Sequence, residues 1–303
     1  MLDVETSITL IQRNFPQIAV RTALPITRGW DRFVLEVNGE LIFRFPMRDD
    51  VIAYLHKELG LLPVLEQALS TLIPHFDYIG HGDANYPYIF VGYRKLGGVA
   101  LEDESITPEQ LTALAPALAT FLNELHRFPV ARAVQAGVQE HTSKQWRERY
   151  QERYVDLQKR VFPRLDMELR VNSQRLWENF LDDRASFAFQ PVLIHCDLAG
   201  EHILCDPEGG VLTGVIDWGD ATIGDPALDF VGVHYGRGRE FTERVLTDYQ
   251  GAMDVAFWRR MDFYLRYVPF SELFYGAYSG SEKFIAQGIE GLRAMFRAKG
   301  LLS

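Results

Sequence analysis

The stretch Pro191–Asp220, PVLIHCDLAGEHILCDPEGGVLTGVIDWGD, decides how the rest of the chain is read. It contains two apolar, β-branched runs, Val192–His195 and Val211–Ile216, and each stops at a carboxylate, Asp197 after the first and Asp217 after the second. Runs of this kind read as short buried strands, and a carboxylate just past a strand end is left at the edge of a cleft. A loop carrying Asp197, His202 and Asp206 is expected between them. Carboxylates and an imidazole on short loops between rigid strands can hold a divalent ion and accept a proton. A plain hairpin with solvated aspartates at its ends is the competing reading.

Working outward, the 303 residues can hold one large domain or two smaller ones, with 47% hydrophobic and 24% charged residues, as in ordinary globular chains. No apolar run approaches the roughly 20 residues of a membrane span. The N-terminus, MLDVETSITLIQRNF, has early acids and no basic segment, so it does not read as a secretory signal. Cys196 and Cys205 are too few for a disulfide framework, and their spacing to His195 and His202 matches no zinc signature, so a cytoplasmic setting is expected. A net charge of −10 argues against a nucleic-acid partner and suits a cationic small molecule. Neither a membrane nor an oligomeric partner is indicated, and a monomer is expected.

Before the central stretch, Thr6–Phe15 has the spacing of a short amphipathic helix closed by Pro16. Three strand-like runs follow, Ile18–Leu24, Arg32–Val37 and Leu41–Phe45, with Gly29 in the first connection and the tight-turn pair Asn38-Gly39 in the second. Alternation puts Ile42 and Arg44 on one face of the third run and Leu41, Phe43 and Phe45 on the other. An arginine between two phenylalanines is expected to hold a fixed role, and its partner would come from the helix Ile52–Leu69, where Glu58 and Glu66 compete. Two more strands, His75–Ile79 and Tyr88–Tyr93, complete five, and Arg94-Lys-Leu-Gly-Gly98 then breaks the pattern like a hinge. From Thr107-Pro108, an N-cap with proline at the first helical position, the chain turns helical, with further helices at Ser143–Val161, Leu169–Asp182, Phe241–Tyr249, Val255–Tyr278 and Glu282–Lys299. The aromatics Tyr264, Tyr267, Phe270, Phe274, Tyr275 and Tyr278 read mostly as core.

The pattern His195-x-Asp197, then His202 five residues on, then Ile216-Asp217-x-x-Asp220, resembles the motif of the aminoglycoside phosphotransferases and the catalytic and metal-binding loops of protein kinases. The resemblance extends over most of the chain. It implies an α+β, bilobal protein-kinase-like fold, with an antiparallel five-stranded N-lobe over residues 1–93 and a mostly helical C-lobe over 94–303, carrying a helical insertion at about 141–185 that walls the substrate cleft. It implies transfer of the terminal phosphate of ATP or GTP to a hydroxyl, with Mg2+ as cofactor. Asp197 would be the base, and His202 and Asp217 the metal ligands. Arg44, set by Glu58, would neutralise phosphate charge, with Gly29 over the phosphates and Arg94 at the nucleotide-binding hinge. His126 and Asp229 would be buried structural residues. Asp220, Glu201, Glu240 and Glu272 would face the substrate. Arg44-Phe-Pro46, His202 and the segment from Arg260 to Tyr275-Gly276 look most like the 2''-phosphotransferase branch. That branch tends to carry an acidic run after Asp229, whereas this chain has VHYGRGRE at 233–240, so macrolide phosphotransferases are the alternative, with a non-catalytic pseudokinase behind both.

Overall fold

The computed structural model describes residues 2–26 and 32–300, so Gly29 lies outside the described residues. Helix α1 (Val4–Asn14) starts on Asp3, whose carboxylate accepts the Thr6 N–H at 2.8 Å. Strands β1 (Ala23–Ile26), β2 (Arg32–Val37) and β3 (Leu41–Pro46) follow, then α2 (Asp49–Leu65), β4 (Tyr78–His81) and β5 (Ile89–Arg94). These five strands form one antiparallel sheet in the order β1-β2-β3-β5-β4. Leu10, Ile11, Leu35, Val37, Phe43, Phe45 and Phe90 build its own core, with Phe45 stacked on Phe90 at 4.7 Å between ring centres. The first strand begins five residues later than expected. Asn38, at φ 57° in the predicted tight turn, uses its side-chain oxygen to accept the N–H groups of Arg21 and Thr22 at 2.8 and 3.1 Å. Those amides are therefore served by a side chain and not by a ladder.

A short β6 (Val99–Ala100) leaves the sheet, and Gly98 precedes it at φ 105°, where a Cβ would sit 2.7 Å from the Cys205 carbonyl oxygen. The helices α3 (Pro108–His126), α4 (Val130–Gln135), α5 (Ser143–Asp156) and α6 (Met167–Asp182) come next. Thr107 and Gln110 cap α3 reciprocally, and Thr142 and Gln145 do the same for α5, so both starts are written locally. Helix α3 carries Leu114, Leu118, Phe121, Leu122 and Leu125 into a second and larger core. The region of the central motif contains β7 (Val192–Ile194), β8 (Ile203–Asp206), β9 (Val211–Val215) and β10 (Thr222–Gly224). The chain ends in α7 (Val231–Asp248), α8 (Phe257–Ser279) and α9 (Glu282–Ala298). No helix among the described residues is long and apolar enough to cross a membrane. The fold is α+β and kinase-like, a five-stranded antiparallel sheet followed by a mostly helical part.

Three expectations differ from the structure. Residues 203–206, expected in a loop, form strand β8, which pairs antiparallel with both β6 and β9. Strand β7 pairs with β10 and not with its sequence neighbour. Tyr275 and Tyr278, expected as core, are 36% and 60% exposed near the end of α8, whereas Tyr264, Phe270 and Phe274 are buried.

Candidate active site

The site is built where β7 and β9 end. At the end of β7 the backbone reverses at Cys196, φ 71°, and presents Asp197 with its side chain half exposed. The left-handed turn is held by buried Asp229, which accepts the N–H of Cys196 at 2.8 Å and of His195 at 2.9 Å. His195 joins the two loops. Its Nε2–H donates to the Ile216 carbonyl at 3.0 Å, and its Nδ1 accepts the Asp197 N–H at 3.3 Å. Burial pushes its pKa down, consistent with the neutral ring these two bonds require. The Trp218 ring lies 4.7 Å from the His195 ring and fills the space beneath.

Asp217 follows β9 in the left-handed region at φ 62°, ψ 64°, an uncommon conformation for a side chain other than glycine and one that clusters at functional sites. Its Oδ1 accepts from Arg32 Nη1 at 2.5 Å and lies 3.7 Å from Arg44 Nη2. Burial would raise its pKa, but Arg44, Arg32 and His202 together hold the carboxyl well below the usual range. Arg44, 5% exposed, makes a two-pronged contact with fully buried Glu58, Nη1 to Oε1 at 2.8 Å and Nη2 to Oε2 at 2.9 Å. Glu66, the competing partner, instead contacts His75 at the surface. Burial opposes the charge on Arg44, yet Glu58 and Asp217 keep it protonated.

His202 donates from Nδ1 to the Asp197 carbonyl at 2.7 Å, with the Asp197 carboxylate 3.5 Å from the same nitrogen. Burial opposes protonation of the ring, and Asp197 outweighs it, raising the His202 pKa. Desolvation raises the pKa of Asp197 itself, against the pull of His202 and His195.

Beyond Asp197 a cleft is lined by Lys57, His141, Glu148, Arg149, Glu152 and Asp220 among others. Asp220 is exposed there. Glu201 stands 3.8 Å from His202 Nε2. Of the four expected substrate carboxylates only Asp220 lines this cleft. Glu240 is 84% exposed and paired at 2.8 Å with Arg244, which is tied to Thr112 on α3, and Glu272 is exposed on α8. Arg94 is exposed at the end of β5.

Three site residues were not singled out from the sequence. Arg32 stands on the same sheet face as Arg44, because β2 and β3 pair residue for residue with Arg32 opposite Pro46 and Val34 opposite Arg44. Strand alternation could have shown this. Lys57 donates to the Ala221 carbonyl at 2.8 Å, and its pKa is lowered by burial against the pull of Asp220. Arg149 comes from α5, and no local pattern marks it.

Fold and loops together define a kinase-like phosphotransferase, an enzyme acting on an alcohol group. Residues 22–264 match the profile described as Phosphotransferase enzyme family, and the chain belongs to that family, which includes aminoglycoside and macrolide kinases. It is 28% identical over 257 residues to viomycin phosphotransferase of Streptomyces vinaceus, covering 82% of each chain. The GDP and kanamycin complex of APH(2'')-IIIa superposes with a TM-score of 0.88 at 32% identity, over 95% of this chain and 97% of that one. Macrolide 2'-phosphotransferase type I shares the fold, with a TM-score of 0.78 at 23% identity over 96% and 98%.

Proposed function

We propose that this enzyme transfers the terminal phosphate of ATP or GTP to a hydroxyl of an aminoglycoside, at the 2'' position. The observation that carries the reading is the meeting of Asp197, His202 and Asp217 from the two loops with the Arg44–Glu58 pair from the sheet. Phosphoryl transfer needs an oriented acceptor, a proton acceptor and cations over the phosphate oxygens, and little covalent chemistry from the protein. Asp197, half exposed and with a raised pKa, would orient the acceptor hydroxyl and take its proton. Arg44 presents a planar guanidinium suited to phosphate oxygens, and Glu58 fixes its plane. Arg94 would lie along the nucleotide, at its hinge.

The residues present fit a magnesium ion. With Nδ1–H donating to the Asp197 carbonyl, Nε2 is the His202 nitrogen a metal would take on displacing its proton, and Asp217 is ionised. Among the described residues no group of three or more His, Cys, Asp or Glu could hold a metal ion, so phosphate and water would have to supply the remaining ligands beside His202 and Asp217. When bound, magnesium would neutralise charge developing on the transferred phosphate.

For the acceptor, Asp220 and Glu201 supply carboxylates near Asp197, and Glu240 and Glu272 would contribute only to a larger ligand or after movement. The same cleft carries three carboxylates, Glu148, Glu152 and Asp220, beside the cations Lys57 and Arg149, so it suits an amine-bearing acceptor, and the two cations leave a less cationic acceptor such as a macrolide as the second reading. A coupled nucleotide-consumption assay with kanamycin- and gentamicin-type drugs, macrolides and small amino alcohols tests the proposal. Turnover with aminoglycosides, with KM rising as salt is added, is the expected result. Turnover with macrolides alone would overturn the acceptor assignment and keep the kinase chemistry.

A further inference from the structure

Arg32 occupies the carboxylate that the metal would need. Its Nη1 lies 2.5 Å from Asp217 Oδ1, and its side chain is only 16% exposed. Arg44 approaches the same oxygen at 3.7 Å, but its guanidinium is already engaged by both oxygens of Glu58. Arg32 has no such second carboxylate among the described residues, so Asp217 is its counter-ion. The guanidinium also rests against the loop backbone. A Cβ on Gly219 would stand 2.2 Å from Arg32 Nη2, so the glycine leaves room for this placement.

A divalent cation approaching Oδ1 without an accompanying anion would meet a guanidinium at hydrogen-bond distance and a second one just behind it. Charges this close, on partly buried groups, are poorly screened. Phosphate oxygens change the balance, because a guanidinium binds them in the same forked geometry as a carboxylate. We propose that Arg32 is a built-in competitor for the metal site. It holds Asp217 in the nucleotide-free enzyme and exchanges that carboxylate for nucleotide phosphate oxygens, so that metal and nucleotide enter together. The inference rests on the metal and nucleotide roles proposed above. It makes Arg32 a positioning residue that links the two ligands.

The test measures Mn2+ binding by electron paramagnetic resonance and by calorimetry, with and without a non-hydrolysable ATP or GTP analogue. Wild type, Arg32→Gln, Arg32→Lys and Asp217→Ala are compared, with circular dichroism to establish that each is folded. Wild type is expected to bind Mn2+ weakly alone and much more tightly with the analogue. Arg32→Gln should bind Mn2+ alone on the order of tenfold more tightly and lose most of the gain from the analogue. Arg32→Lys, which keeps the charge, should stay near wild type. Unchanged or weaker Mn2+ binding by folded Arg32→Gln overturns the role of Arg32, while analogue-dependent binding lost in Asp217→Ala would leave the metal assignment standing. Absence of analogue-dependent Mn2+ binding in wild type would overturn both.

Discussion

Asp229 and Cys196 are joined by a 2.8 Å hydrogen bond in which a fully buried carboxylate accepts the main-chain N–H of a left-handed residue. The other oxygen of Asp229 accepts from His195 N–H at 2.9 Å and lies 3.1 Å from His126 Nε2, and His126 Nδ1 in turn lies 2.7 Å from the Tyr249 hydroxyl. A chain of buried polar contacts thus runs from α3 and the end of α7 to the turn that presents Asp197. Replacing Asp229 by alanine would orphan two buried amides. The expected loss is about 2–5 kcal/mol of unfolding free energy, read by chemical denaturation. A loss below about 1 kcal/mol would show that the turn is held by other contacts.

Asp197→Asn should behave in the opposite way. The side chain is half exposed, and among the described residues its carboxylate has no contact shorter than the 3.5 Å approach to His202. Stability should change by less than about 1 kcal/mol. Turnover should fall about 10²-fold or more, with nucleotide affinity near wild type. Near-normal turnover would remove Asp197 from proton transfer.

Glu58→Gln keeps the shape of the Arg44 partner and removes its charge. Arg44 would remain buried with, among the described residues, only the 3.7 Å approach of Asp217 as a charged contact. Breaking a buried pair from one side costs about 3–5 kcal/mol. The expected result is a clear drop in stability together with weaker nucleotide binding, measured by denaturation and by nucleotide titration. If stability held while binding fell, Asp217 alone would suffice to neutralise Arg44.

The thiols supply a pH test. Burial pushes Cys196 up to about 12, with Arg149 pulling the other way, and pushes Cys205 up to about 11. A raised thiol pKa means that the reactive thiolate is scarce at neutral pH and grows about tenfold per pH unit below the pKa. Iodoacetamide labelling of the native protein at pH 8 should be roughly 10²-fold or more slower than in denaturant. Labelling at the denatured rate would show that these cysteines are accessible thiolates.

What the sequence by itself determined were features of short range. The Asn38-Gly39 turn, the Thr107-Pro108 helix start and the ends of β7 and β9 depend on a few neighbouring residues, whose backbone preferences and periodicity can be read directly. The motif around Asp197, His202 and Asp217 was legible for the same reason. Strand pairing within the central stretch was not. The run Ile203–Asp206 is too short to announce itself, and β7 finds its partner in β10 across the β8–β9 hairpin. Only the tertiary structure decided the contacts of long sequence separation. Arg32 meets Asp217 across 185 positions and Lys57 meets Ala221 across 164. Buried Arg260 joins Asp225 at 2.6 Å and Asp254 at 2.8 Å, while the Tyr264 hydroxyl donates to Asp225 at 2.8 Å. In each case a charge finds its counter-ion or acceptor only after packing has removed it from water, so the choice of partner is set by the folded geometry and leaves no local pattern.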